Sequence, residues 1–352
     1  MRIDFETPLK SAVSRRKAYR YHRSHAIDAA RILKLLEGKY GRTNPVNIRL
    51  ADAYARDVLG HAHYAPWLHV YTAFARTFKQ GWIPDNYYGS VVVPAMKGWY
   101  GRVSNLRALT NTVFRSDAFP DVAYYVNGLF LTTDNEPIPE RDVTTALFRT
   151  SDRVAFKADH SIQGKGIFFF DRGSFDVGRI RSLGNGVFQS YIVQHQLLDD
   201  FAPNSVATLR ITSAVDDAGH VGVRACYVRF GRSDDTHVQS RTNVRVPVDP
   251  ATGELATEGY LTSWLPVTEH PDTRISFAGC RIPAFQECLA TVRALHEKVR
   301  FARCVGWDVS VDRDERVRVM EWNAEHNDIK FSEATQGPCF ADLGWERLRH
   351  QG

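Results

Sequence analysis

Val305-Gly-Trp-Asp308-Val-Ser-Val-Asp-Arg-Asp-Glu-Arg-Val-Arg-Val-Met-Glu321-Trp-Asn323 is the stretch that decides how this chain is read. Apolar residues alternate with polar ones on both sides of a charged tip, Asp312 to Glu315, so the stretch reads as two antiparallel strands and a turn. With the turn centred between Asp314 and Glu315, Asp308 lies opposite Glu321. Opposed residues hold their Cβ atoms about 5 Å apart, and Glu321 and Asn323, two apart, share a face. One patch then carries two carboxylates and an amide oxygen, the hard donors that hold Mg²⁺ with phosphate oxygens and water. Trp307, Val309, Val319, Met320 and Trp322 mark the hairpin as largely buried. Unpaired like charges are costly there unless a cation joins them. The plainer alternative is a solvated strand face with a chance carboxylate pair.

Two upstream segments have matching chemistry. In Phe156-Lys157-Ala-Asp-His-Ser-Ile-Gln-Gly164-Lys165-Gly166-Ile-Phe-Phe-Phe, a strand ends on a lysine, and a polar glycine-bearing turn leads to a returning strand. Glycines let backbone N–H groups approach phosphate oxygens, and lysines supply point charges. A plain hairpin turn is the alternative, and neither a Walker loop nor a Rossmann fingerprint is present. In Asn204-Ser-Val-Ala-Thr-Leu-Arg210-Ile-Thr, Arg210 falls on the opposite face from Leu209 and Ile211. Arginine suits a phosphate or carboxylate oxygen, and a surface ion pair is the alternative. Arg229 and Arg232 invite the same reading.

Around these segments the chain of 352 residues divides by pattern. Residues 1–80 read as a helical N-terminal region. Ile27, Ala30, Leu33 and Leu36 form an apolar stripe, and a second helical stretch from Leu50 to Phe78 is broken at Pro66. Residues 81–150 mix short strands, turns and a helix over 105–114. From 151 to 352 the period is mostly two. Strands are expected over 153–157, 167–170, 188–197, 206–212 and 221–230, followed by a helix after Pro283 with Phe285, Cys288, Leu289, Val292, Leu295 and Val299 on one face. The class is α+β with a helical front end.

Composition narrows the function. Hydrophobic residues are 43% and charged residues 24%, an ordinary globular balance, and the net charge of +5 is too weak to imply nucleic acid. The five cysteines include no Cys-x-x-Cys pair, so they read as reduced thiols of a cytoplasmic protein. No apolar run approaches the ~20 residues of a spanning helix. The basic run Arg15 to Arg23 is compatible with an anionic glycan, a nucleotide sugar or a membrane surface, or with a solvated helix face. His61-Ala-His63 lacks a carboxylate or cysteine at metal-ligand spacing.

In their order, these segments resemble the ATP-grasp superfamily, and within it the sugar-transfer-associated branch near the teichuronopeptide biosynthesis proteins. The carrying residues are Lys157, Gly164 and Gly166; Ser205 to Thr212 with Arg210; His270-Pro271-Asp272-Thr273, Phe277 and Ile282-Pro283; and Gly306-Trp307-Asp308 with Glu321-x-Asn323. The spacing of the last set looks like the metal-binding triad of D-alanine–D-alanine ligases. The resemblance implies an ATP-grasp fold, two α+β subdomains sandwiching ATP, with 81–150 as a preceding subdomain. It implies that Lys157 and the loop of Gly164, Lys165 and Gly166 contact ATP phosphates. Asp308, Glu321 and Asn323 hold Mg²⁺, and Arg210 stabilises the transferred charge. Gln194 meets adenine at a hinge, and Arg107 takes the place of an earlier nucleotide-binding lysine. The Asn-x-x-Pro-Gly ending of many ligases is missing after Asn323. The implied reaction joins a carboxylate, glycan-linked or small, to an amine through an acyl phosphate. A hydroxyl-phosphorylating kinase and a non-catalytic nucleotide or glycan module are the alternatives.

Overall fold

The computed structural model describes residues 8–159, 166–232, 235–238 and 242–350, with side chains given from Arg15 to Arg349 within those stretches. The chain divides into two compact units. One comprises residues 1–95, 263–265 and 328–352, and the other residues 96–262 and 266–327.

The first unit is helical. Helix Pro8–Tyr40 packs on helix Ala65–Ala75, and helix Pro45–Asp57 packs beside the latter. Asn44 caps helix Pro45–Asp57 by accepting a hydrogen bond from Val46 N, and a proline follows in the first turn, where no N–H is needed. Pro66 occupies the same early position in Ala65–Ala75, so it opens a helix where the sequence suggested a break. The buried face of the long helix is Ala29, Ile32 and Leu36, while Ile27 is 60% exposed. The expected stripe is therefore out of phase, because its i, i+3 spacing drifts round a helix of 3.6 residues per turn.

The second unit holds two antiparallel sheets. Their strands, in chain order, are β1 (Asp121–Val126), β2 (Leu129–Thr132), β3 (Arg153–Ala158), β4 (Ile167–Asp171), β5 (Gly186–Ser190), β6 (Thr208–Val215), β7 (Val221–Phe230), β8 (Val244–Val248), β9 (Gly259–Tyr260), β10 (Pro266–Val267), β11 (Cys304–Val311) and β12 (Val317–Asn323). The first sheet has the order β2-β1-β5-β3-β4, and the second β10-β9-β8-β7-β6-β11-β12. Val154, Phe156, Phe170 and Phe188 pack together on one face of the first sheet. On the second, Leu209, Ile211, Trp307, Val309 and Trp322 pack with helix Phe285–Glu297, whose stripe is buried as its spacing predicted. The expected strand over 188–197 ends at Ser190, and Gln196–Phe201 is helical. His195 caps that helix by accepting from Leu197 N.

Candidate active site

Strand alternation dedicates the other face of each sheet to polar side chains. In the second sheet, the ladder pairs Arg210 with Asp308 and Asp308 with Glu321, making one row across β6, β11 and β12. Arg229 on β7 pairs with Thr208, so it shares this face. In the first sheet, Lys157 (β3), Gln189 (β5) and Asp121 (β1) share a face by the same logic.

The Asp308–Glu321 pair forms as the sequence implied, by a different route. The ladder nearest the tip pairs Val311 with Val317 and Val309 with Val319, which centres the turn on Asp314. Glu315 adopts a positive φ of 60°, and Asp312 Oδ1 accepts from the backbone N–H groups of Asp314 and Arg316. A bulge then inserts Met320 and restores Asp308 opposite Glu321. Bulges free backbone groups from the ladder and recur beside active sites. The Met320 carbonyl accepts from Lys157 Nζ at 3.3 Å and from Gln189 Nε2 at 3.3 Å, which joins the two sheets there.

Asp308 is held by two arginines. Arg210 Nε donates to Oδ1 at 2.6 Å and its NH2 to Oδ2 at 3.1 Å, while Arg229 NH2 stands 2.7 Å from Oδ1. Burial would raise this carboxyl, but the two guanidinium groups outweigh burial and hold it below the usual carboxylate range. Arg210 NH1 also donates to Asn327 O at 2.8 Å. Gly306 makes that possible, because a Cβ there would stand 2.9 Å from Arg210 NH1 and 2.8 Å from Asn327 Cβ. Arg107 lies 3.5 Å from Glu321 and donates to Ala158 O. Lys157 has its pKa lowered by burial; Glu321 opposes the shift and Arg107 adds to it. Asp121 is raised by burial and accepts from Gln189 Nε2 at 2.8 Å and from Tyr124 OH at 3.0 Å. Arg107, Asp121, Gln189, Met320 and Glu321 line a small pocket between the sheets.

Lys157, Arg210, Asp308, Glu321 and Asn323 thus lie on the polar sheet faces of one unit, and Arg107 reaches them from the helical turn Arg107–Leu109. Gly164 and Lys165 lie outside the described residues; Gly166, at φ 91°, closes the β3–β4 turn. Gln194, read from the sequence as an adenine contact, is engaged otherwise in this structure. Its Nε2 donates to Ala202 O at 2.9 Å and Ser205 O at 3.1 Å, and its Oε1 accepts from Ala207 N at 2.7 Å. The side chain is spent on its own returning loop. Arg232 pairs with Asp272 at 2.7 and 2.6 Å, and His270 Nε2 lies 3.0 Å from Gly231 O, so the His270-Pro-Asp motif pins that loop. Asp121 and Gln189 were missed, since neither stands in a spacing pattern. In the first unit, His22 stacks on His63 at 3.7 Å and His61 on His63 at 3.8 Å, a pile of rings that does not converge on one point.

The donor chemistry suits a divalent cation bound together with phosphate. Glu321 keeps 35% of its side chain exposed, and Asn323 uses only Nδ2, which donates to Gly306 O. Among the described residues no group of three His, Cys, Asp or Glu could hold a metal by itself, so a bound ion needs oxygens from its ligand. The buried Nε of Arg229 has no hydrogen-bond partner among the described residues, a donor left over for an anion.

A family model described as sugar-transfer associated ATP-grasp matches residues 126–342. No curated protein matches the chain. Solved structures it is similar to include the biotin carboxylase domain of a 2-oxoglutarate carboxylase from Hydrogenobacter thermophilus (12% identity over 69% of this chain and 44% of that one, TM-score 0.42). Others are an L-amino acid ligase from Bacillus licheniformis (10%, 68% and 46%, 0.38) and the D-alanine–D-alanine ligase of Coxiella burnetii (10%, 71% and 59%, 0.37). The chain spans about half the length of these structures. Among the described residues no helix is long and apolar enough to cross a membrane.

Proposed function

The chain belongs to the sugar-transfer associated ATP-grasp family, and from that premise we propose that it is an ATP- and Mg²⁺-dependent, ADP-forming ligase that joins a carboxylate to an amine. The observation that carries this reading is the convergence of Lys157, Arg210 and Arg229, on the polar faces of two sheets, and of Arg107, from a short helical turn, with Asp308 and Glu321. We place the ATP-grasp domain at 151–352, behind a subdomain at 81–150 and the helical region 1–80, and the reaction in the cytoplasm, where ATP is made.

Phosphoryl transfer asks a protein mainly for position and charge neutralisation. Lys157 and Arg107 supply fixed positive charge at the cleft between the sheets. Arg210 and Arg229 now neutralise Asp308. When an anionic phosphoryl group arrives, the spare Nε of Arg229 can bond it without leaving Asp308. Asp308, Glu321 and Asn323 would hold Mg²⁺, which supplies Lewis-acid charge to the phosphate oxygens. The substrate carboxylate attacks the γ-phosphorus, ADP leaves, and the amine attacks the acyl carbon and expels phosphate with loss of a proton. The product belongs to glycan or secondary-metabolite assembly.

ADP release from Mg-ATP with pooled uronic acids and amino acids, wild type against Glu321→Gln, tests the reading. Release that needs both pools and is lost in the variant supports a ligase. Release with one pool alone indicates a kinase, and absence of nucleotide binding by calorimetry removes the ATP-grasp activity altogether.

A further inference from the structure

The two most exposed large apolar side chains among the described residues are neighbours, Trp99 at 77% and Tyr100 at 67%. Phe301, 45% exposed, adjoins Tyr100 with ring centroids 5.8 Å apart. Contiguous exposed aromatics mark binding surfaces, because folding gains nothing from leaving them wet.

The segment that carries them, Gly98–Asn105, is firmly built. Lys97, only 3% exposed, donates to Asn327 Oδ1 at 2.9 Å and to Glu325 O at 3.3 Å. Burial lowers its ammonium to about 8. Gly101 lies flat on the chain at Ala324, where a Cβ would stand 2.6 Å from Ala324 O. Ser104 Oγ accepts from Ala324 N at 3.1 Å. The Glu325 carboxylate is held by Arg102 Nε at 3.1 Å and Asn105 Nδ2 at 2.7 Å, yet 40% of its side chain remains exposed. The Arg102 guanidinium covers one face of Trp99 at 4.0 Å. An exposed aromatic ledge, the Trp99 ring with Tyr100 and Phe301 tilted beside it, therefore stands next to a fork of planar polar groups, two residues beyond the candidate metal ligand Asn323.

We propose that this ledge binds the pyranose ring of the acceptor substrate, stacked on the open face of Trp99 and hydrogen-bonded through Glu325, Arg102 and Asn105. A pyranose has one apolar C–H face and a rim of hydroxyls, which match an aromatic plane and a carboxylate–amide–guanidinium fork. An anionic lipid surface matches less well, because Glu325 already neutralises Arg102. The assignment rests on the ligase reading only for the word acceptor; the sugar site itself stands on the ledge.

The test presents the full-length protein to immobilised oligosaccharides ending in glucose, galactose, N-acetylglucosamine or glucuronic acid. Binding to at least one terminus is expected. Trp99→Ala should weaken it about ten-fold while leaving the melting temperature unchanged, since the ring is solvent-exposed. Glu325→Gln should weaken it as well. Binding to no terminus, equal binding by Trp99→Ala, or Trp99-dependent binding to phosphatidylglycerol vesicles in place of sugars overturns the proposal. Calorimetry with Mg-ATP on the same preparation separates the two readings. Nucleotide binding without sugar binding removes the ledge alone, and sugar binding without nucleotide binding keeps the ledge and removes the ligase.

Discussion

Asp308→Asn removes the one negative charge that two buried guanidinium groups share. The Asp308 side chain is 12% exposed, and those of Arg210 and Arg229 are 8% and 18%. With charge centres about 4 Å apart and an effective dielectric of ~20, each pair attracts by about 4 kcal/mol. Desolvation of all three groups offsets much of that attraction, so the pair adds little net stability. Breaking it differs, because the arginines stay buried without the charge that compensates them. Losses of about 3–5 kcal/mol are usual for such a break. Asparagine keeps the shape and one acceptor oxygen but turns an NH2 toward a guanidinium. Arg229 has the more exposed side chain and can relax toward water, which favours the lower end, about 3 kcal/mol. Arg229→Gln alone leaves the Arg210 fork intact and should cost about 1.5 kcal/mol, the low end for a hydrogen bond to a charged group. In the double variant only one guanidinium is stranded, so the combined loss should fall short of the sum by at least ~1 kcal/mol. Urea midpoints at unchanged slope measure all three. A loss under ~1 kcal/mol for Asp308→Asn, or strict additivity with Arg229→Gln, would show that Asp308 is not the shared counter-ion.

Two further predictions concern other buried groups. Glu333 is fully buried; burial pushes it up to about 7, against hydrogen bonds from the backbone N–H groups of Ile83 and Cys339. Its folded pKa exceeds its unfolded value of 4.5, so its contribution to stability is full below about pH 4.5 and is lost as pH rises through 7, by about 3 kcal/mol. His63, pushed down to about 3 by burial and by its histidine neighbours, acts in the opposite sense as pH falls below 6.5. The difference between wild type and Glu333→Gln isolates the carboxyl: wild type should lose ground from about pH 4.5 to 7 and level off above that, and parallel curves would refute the assignment. Gln194→Leu should cost about 3 kcal/mol by orphaning Ala207 N, Ala202 O and Ser205 O. Mg-ATP affinity of the folded variant should stay within about three-fold of wild type, and a ten-fold loss would return Gln194 to the nucleotide site.

What the sequence could reveal follows from the range of the forces involved. The Asp308–Glu321 hairpin was legible because alternation and a charged tip are local signals, and helix Phe285–Glu297 was legible because its stripe is long. The bulge at Met320 was not legible. It compensates a one-residue difference in the turn, and the carbonyl it frees is met by Lys157 and Gln189 from another sheet. The hydrogen-bond partners of Gln194 were hidden for a related reason. Its partners come from a chain reversal at 202–207, which an apolar strand reading over 188–197 conceals. The long helix was misphased because Ile27 is apolar yet faces water, and one exposed isoleucine is unremarkable on any surface.

The site shows the same division. Each charged residue was visible singly, but its partner was not. Arg210 was read as aimed at a phosphate and is found on Asp308, and Asp308 was read as a metal ligand and is found between two arginines. These assignments are compatible if the guanidinium groups hold the place of the charge that Mg-ATP brings. Without ligand, the buried carboxylate and the arginines satisfy one another. Under the proposed function, the spare Nε of Arg229 would meet the arriving phosphoryl group while Asp308 keeps its guanidinium partners. On that proposal Arg229 is as necessary as Arg210, since it serves the buried carboxylate and the arriving anion at once.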